Sequence, residues 1–200
     1  MRMGETTLAE GQGLPLSFGH AYLTLLVCLC GSAHFTLNFK EHAVRRGAVM
    51  LLAEDTIALL KRRSRRFKVF FCLMPKSFAA EVAYPLPNTL FVFLHDHPHC
   101  VPSKDDMPLI EGWVTQMRNI AQTCPTYQRI MLRNQLQNLF LKIAEQLPAN
   151  QIENRGFSRK EMLSWRFWEL IGKHRVRHRD VKFYADALNI TPFYLCLLYT

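Results

Sequence analysis

Short apolar runs separated by glycine, asparagine and charged residues fill the first half of the chain. The run at 34–39 alternates apolar and polar positions, which is the period of a half-buried strand. The runs that have the length of strands are 22–30, 34–39, 49–52, 57–60, 67–74 and 90–94. Strands of this length at near-regular spacing, with turn residues between them, predict an antiparallel barrel or sandwich.

Beyond residue 104 the apolar positions recur every three or four residues, which predicts amphipathic helices. The first apolar stripe consists of Leu109, Ile110, Trp113, Met117 and Ile120. After a break at Cys124 and Pro125, the second stripe consists of Leu132, Leu136, Leu139, Phe140, Ile143 and Leu147. The short break predicts an antiparallel helix pair, whose stripes pack on their own domain or form part of a dimer interface.

A polar linker, predicted at 150–156, precedes another helical region. Ser158 and Glu161 have the spacing of a capping box at the start of a helix. The predicted apolar face of that helix consists of Leu163, Phe167, Leu170 and Ile171.

Two further short helices are predicted near the end of the chain. Asp180 has the position of an N-cap for a helix at 181–188, and Asn189 suits the left-handed residue that ends it. Thr191 and Pro192 supply the N-cap and first residue of the next helix. A helix, a short turn and a second helix, with the small Ala185 where the two approach, is the arrangement of a helix-turn-helix.

The segment 181–195, VKFYADALNITPFYL, resembles the first helix-turn-helix of AraC/XylS-type transcriptional regulators, in the version common in Bacteroidetes. The residues that match the family pattern are Ala185, Leu188, Thr191, Pro192, Tyr194 and Leu195. The upstream segment 167–171 resembles the preceding helix of that domain. The strand pattern around Gly31 and Gly47 resembles the cupin-like domain of the same family.

The resemblance implies an α+β chain with three parts. These are a cupin-like antiparallel β-barrel at 1–101 for effector binding and dimerisation, a helical linker at 102–150, and an incomplete helix-turn-helix DNA-binding domain at 157–200. Against the family pattern the chain stops about two turns into the recognition helix, so we expect a truncated regulator whose DNA binding is weak or lost. The implied partners are DNA, an unidentified small effector and a second copy of the chain.

The charge balance agrees with a polyanionic partner. The chain has 25 Lys and Arg against 16 Asp and Glu, a formal net charge of +9, which favours nucleic acid over acidic lipid. The apolar run at 23–31 is too short to span a bilayer, and Glu5 and Glu10 precede it where a secretory signal would be positive. The six cysteines contain no CxxC pair, so we predict reduced thiols and a cytoplasmic protein without a membrane partner.

The resemblance also places the DNA contacts. Arg175, Arg177 and Arg179 precede the helix-turn-helix and are candidates for phosphate contacts, although a solvated loop explains the same charges. Thr191, Phe193 and Tyr194 begin the recognition helix and are candidates for contacts to base edges.

Two other clusters have alternative interpretations. The basic segment 61–68, KRRSRRFK, fits a solvated hairpin turn best, with nucleic acid or an anionic effector as alternatives. His95, His97 and His99, with Cys100 beside them, have donors that suit a metal, but Pro98 interrupts the strand and no further ligand follows at cupin spacing. We therefore expect a solvated connection there, with no metal and no cofactor.

The sequence contains none of the GxSxG, GxxxxGK[ST], GxGxxG or HExxH motifs, so we do not expect an enzyme. The leading hypothesis is a DNA-binding transcriptional regulator that responds to a small effector. The alternative is a sensor or dimerisation module without DNA binding, or a non-functional remnant, that pairs with a full-length relative.

Overall fold

The computed structural model describes residues 1–8, 15, 16, 18, 21–87, 90, 91, 93, 94, 97–103, 105–145, 163, 166, 167, 170, 171, 174 and 177–198. The chain divides into two compact units, unit 1 at 1–147 and unit 2 at 148–200. The three-part division expected from the family resemblance stays a prediction.

Two antiparallel sheets form the β part of unit 1. The strands are β1 (Arg2–Thr6), β2 (Leu23–Cys30), β3 (Ser32–Leu37), β4 (Lys40–Arg45), β5 (Val49–Ala53), β6 (Ala58–Arg63), β7 (Lys68–Met74) and β8 (His99–Cys100). The five-stranded sheet has the order β1-β7-β2-β5-β8, and the three-stranded sheet has the order β4-β3-β6.

The five-stranded sheet is buried on both faces, and alternate residues of β2 show this directly. Leu25 and Val27 pack in the core that includes the helices, whereas Leu26 and Cys28 pack in the core between the two sheets. Because neither face of the sheet is solvated at β2, the sequence of this strand is a continuous apolar run instead of an alternation of apolar and polar residues. This explains the unbroken LTLLVCLC of β2.

The predicted barrel is wrong for the described residues, because their strands do not close into one. The consecutive strands β2 and β3 turn at Gly31 and belong to different sheets. Phe35 and Phe67, both almost fully buried, fill the space between the sheets with their ring centroids 6.1 Å apart. Two sheets packed face to face bury these side chains without closure.

Three helices cover the outer face of the five-stranded sheet. They are α1 (Lys76–Ala83), α2 (Met107–Thr123) and α3 (Gln128–Glu145). The predicted stripes are confirmed at Ile110, Trp113, Met117, Ile120, Leu132, Leu136, Leu139, Phe140 and Ile143, which are buried. Leu109 is a wrong prediction, since it is 59% exposed and lies off the stripe; Leu147 lies outside the described residues. No described helix is long and apolar enough to cross a membrane.

The strand predicted at 90–94 is also wrong. Leu90, Phe91, Phe93 and Leu94 have helical backbone, and the amide of Leu90 donates to the carbonyl of Pro87 at 3.1 Å. A run of five apolar residues has no period that separates a strand from a buried helical turn. Strands β1 and β4 and helix α1 have no counterpart among the predicted elements.

In unit 2, α4 (Val181–Ala187) and α5 (Pro192–Leu198) share a small core. Its buried members are Leu163, Tyr184, Ala185, Leu188 and Leu195, with Phe167, Leu170 and Ile171 packed against them. The apolar face predicted from Leu163 to Ile171 therefore contacts the two short helices. The predicted linker and capping box lie outside the described residues.

None of the six cysteines, all of which lie among the described residues, forms a disulfide. Burial raises the pKa of Cys28 and of Cys72 to about 12 and that of Cys100 to about 11. These three side chains are therefore protonated and act as small apolar groups.

Candidate nucleic-acid interface

Local hydrogen bonds hold the turn between α4 and α5. The carboxylate of Asp180 accepts from the amide of Phe183 at 2.8 Å and caps α4, as predicted. Asn189 has a φ of 53°, in the left-handed region that ends helices. The hydroxyl of Thr191 accepts from the amide of Tyr194 at 3.1 Å and caps α5. A helix, a turn and a second helix are therefore present where the sequence predicted them, with caps identified at the start of each helix and at the end of α4.

The first turn of α5 presents side chains outward. Phe193 is 74% exposed and Tyr194 is 39% exposed, whereas Leu195 is buried in the unit 2 core. Leu197, one turn after Phe193, is 55% exposed. Phe193 and Leu197, one turn apart, give α5 a small exposed apolar surface.

His178, which lies just before α4, is held against that helix. The hydroxyl of Tyr184 donates to the carbonyl of His178 at 2.7 Å. The ring of His178 stacks on Phe183, with centroids 3.9 Å apart and planes inclined by 2°. Arg177 and Arg179 on either side of His178 are exposed. The anchoring by His178, Phe183 and Tyr184 was not predicted, because nothing in the periodicity pairs a loop residue with the helix after it.

Arg179 and α5 lie beside the same cavity. The cavity has a volume of about 440 Å³ and is lined by Phe167, Ile171, His178, Arg179, Val181, Tyr184, Leu195 and Cys196. The structure thus brings Arg179 to the same cavity as Leu195 and Cys196 of α5. Thr191, Phe193 and Tyr194 lie at the start of the same helix. Arg175, the remaining predicted contact, lies outside the described residues.

Of the histidine cluster that the sequence predicted to be a solvated connection, His97 is exposed, whereas His99 is half-buried. His97 stacks on Phe93 with centroids 4.4 Å apart, and His99 lies in β8, half-buried against His42 of β4 with centroids 5.6 Å apart. Burial and then the neighbouring His42 hold the pKa of His99 below its usual value, and burial and then Lys40 do the same for His42. His95 lies outside the described residues, and the described ones contain no group of three potential metal ligands.

We expect unit 1 to lose stability as the pH falls from about 7.5 to about 5.5, through the usual histidine pKa of about 6.5. The lowered pKa of His42 and His99 means that the unfolded chain binds protons that the folded chain rejects. Stability therefore rises with pH across this range. Urea titrations at several pH values measure it, and His42→Gln with His99→Gln should flatten the dependence; an unchanged dependence in that double variant would contradict the assignment.

Among solved structures, ToxT from Vibrio cholerae in an apo form superimposes with a TM-score of 0.52 at 12% identity, over 98% of this chain and 72% of that chain. The AraC-like transcriptional activator CuxR gives 0.47 at 11% identity, over 90% and 60% of the two chains. ToxT bound to an unsaturated fatty acid gives 0.39 at 11% identity, over 94% and 84%. No known family profile and no curated protein sequence matches the chain.

These similarities concern the fold. The superposition on ToxT, with a TM-score above one half, shows that the chain shares the fold of ToxT. The chain spans about 60% of the length of CuxR.

Proposed function

We propose that this chain is a cytoplasmic, non-enzymatic transcriptional regulator of AraC type, which contacts DNA through unit 2 and takes a small effector in unit 1. The observation that carries the proposal is the outward-facing first turn of α5, capped by Thr191 and bearing the exposed Phe193, in the same unit as the exposed Arg177 and Arg179. The fold shared with ToxT supports it independently.

In this proposal Arg177 and Arg179 contact phosphates, together with Arg175. Such contacts set position and salt dependence and carry no sequence information. Thr191, Phe193 and Tyr194 contact base edges from the start of the helix, where recognition helices meet the major groove. A single helix pair makes few base contacts, so phosphates supply most of the affinity.

The effector and the dimer belong to unit 1 in this proposal. ToxT, which shares the fold, has been crystallised with an unsaturated fatty acid, and an apolar acid of this kind is the first effector to test. The outer face of α3 exposes Tyr127 just before the helix and Ile130 and Met131 in its first turn, at 66%, 49% and 37%. This apolar face is the proposed contact between two copies of the chain.

The test is a DNA-binding titration of the full chain by fluorescence anisotropy over a series of salt concentrations. We expect the double variant Arg177→Gln with Arg179→Gln to weaken DNA binding at least about tenfold near 100 mM salt. The salt slope, which is the slope of the logarithm of the binding constant against the logarithm of the salt concentration, should decrease in magnitude by about 2. The matched control, Lys40→Gln with Lys76→Gln, removes the same charge from exposed lysines of unit 1 and should leave both quantities nearly unchanged.

Phe193→Ala should weaken binding without changing the salt slope, because it removes a base contact and no charge. Equal binding by wild type and by both unit 2 variants would refute the DNA-contact assignment. A chain that dimerises, binds the acid and shows no DNA binding would favour the sensor or dimerisation module instead.

A further inference from the structure

The connection between β6 and β7, which belong to different sheets, gathers basic residues at one end of the three-stranded sheet. In the strand register, Arg62 pairs with His34 and Arg63 pairs with Ala33, while Arg45 of β4 pairs with Ser32 on the other side of β3. The turn that follows β6 adds Arg65 and Arg66. Strands β4 and β6 lie two strand spacings apart, about 10 Å, so basic side chains flank both sides of the same end of β3.

A β-bulge aims two consecutive basic side chains outward. The register of β6 against β3 shifts between His34 and Phe35, which leaves Lys61 as an additional residue. Lys61 and Arg62 are both exposed, although neighbours in a regular strand point to opposite faces. Bulges commonly redirect side chains in this way at functional surfaces.

The turn itself is held rigidly. The amide of Ser32 donates to the hydroxyl of Ser64 at 3.0 Å, and the amide of Ser64 donates to the carbonyl of Ser32 at 2.8 Å. The thiol of Cys30 donates to the carbonyl of Arg66 at 2.8 Å, and Phe67 is completely buried. Arg65 and Arg66 therefore project from a fixed backbone, so little backbone entropy is lost when they bind a partner.

The cations of the β6–β7 connection differ in whether they have a carboxylate partner among the described residues. Lys68 pairs with Glu5, and outside the connection Arg46 pairs with Glu111 at 2.6 Å. Within this connection, Lys61, Arg62, Arg65 and Arg66 have no such pair, and we call these four residues the basic tip. The acidic residues on the strands and turns of this sheet, Glu41, Glu54 and Asp55, lie toward its opposite end, where Leu37 pairs with Lys40 and Ala58.

We propose that the basic tip is a second nucleic-acid contact, which binds the phosphate backbone of duplex DNA independently of base sequence. Three of its four residues are arginine, whose planar fork donates two hydrogen bonds to one phosphate. A loop that inserts into a membrane exposes apolar side chains. The one apolar residue of 61–68 is Phe67, which is buried. This proposal rests on the proposed function, from which it takes DNA as the partner, and it adds a second DNA-contact surface in unit 1.

The experiment compares full-length Arg65→Gln with Arg66→Gln against wild type, using anisotropy with a mixed-sequence duplex of about 30 base pairs over a salt series. We expect about a tenfold loss of affinity and a salt slope reduced by about 2. Arg65→Lys with Arg66→Lys should restore the slope because it restores the charge. Lys40→Gln with Lys76→Gln is the control for net charge and should retain wild-type behaviour.

The proposal would be overturned by an unchanged salt slope in Arg65→Gln with Arg66→Gln, or by an equal loss of affinity in the control Lys40→Gln with Lys76→Gln. It would also be overturned if Arg65→Gln with Arg66→Gln lost binding to phosphatidylserine vesicles while its DNA binding stayed intact. The last result would assign the tip to an anionic lipid surface. If only the unit 2 variants lose DNA binding, this proposal fails and the proposed function stands. If only the tip variants lose it, the tip is the DNA contact and the assignment to unit 2 fails.

Discussion

Replacing Phe70 with alanine is expected to lower the free energy of unfolding of unit 1 by about 3–5 kcal/mol. Phe70 lies in β7 and is completely buried, and its ring meets Trp113 of α2 edge to face with centroids 5.9 Å apart. The truncation leaves a cavity between the five-stranded sheet and the helices, and the rigid sheet collapses into it only partly. Urea unfolding followed by the circular dichroism of the sheets, which lie in unit 1, measures the change.

The chain supplies a matched control for this substitution. Phe39 is 84% exposed in the turn between β3 and β4, and Phe39→Ala removes the same atoms with an expected change within about 0.5 kcal/mol. Equal effects of the two substitutions would mean that Phe70 does not pack as described.

Gly31→Ala is expected to destabilise unit 1 by about 2–5 kcal/mol, through backbone strain and crowding together. Gly31 has a φ of +75°, which an alanine adopts only at a cost, and its Cβ would lie 2.5 Å from the Ser64 hydroxyl and 2.7 Å from the Phe67 backbone. The backbone atoms cannot move away without breaking the turn. The same urea titration measures this effect.

Gly112→Ala is the matched control, because it makes the same glycine-to-alanine change at a position without crowding. Gly112 lies within α2, and a Cβ there would meet nothing within 4 Å. Alanine is the better helix former, so this variant should be more stable by about 0.5–1 kcal/mol. If Gly31→Ala were as well tolerated, the close approach of β2–β3 to the β6–β7 turn would be wrong.

The elements that the sequence predicted well are those whose signal is local. Asp180, Asn189 and Thr191 each act within a few residues of themselves, and all three have the predicted cap or turn geometry. The stripes of α2 and α3 also follow from spacing alone. The exposed first turn of α5 is predictable for the same reason, since Leu195 matches the buried position of the motif and Phe193 does not.

What the sequence did not predict depends on which strands become neighbours, whether near or far along the chain. β1 pairs with β7, whose residues lie more than sixty positions later, as in Arg2 with Leu73. The polar β4 is a strand because β3 precedes it across the turn at Asn38 and Phe39, not because of its own pattern. The contact between His99 and His42 arises in the same way, from strands β8 and β4 of different sheets.

The double burial of β2 also determines how unit 1 comes apart. β2 forms ladders with β5 on one side and β7 on the other, and its alternate side chains belong to two separate cores. Opening β2 breaks both ladders and exposes both cores at once, so this strand opens only when the whole unit unfolds. Unit 1 therefore unfolds cooperatively around β2. A substitution that disrupts the packing of one core also destabilises the other core, because β2 belongs to both.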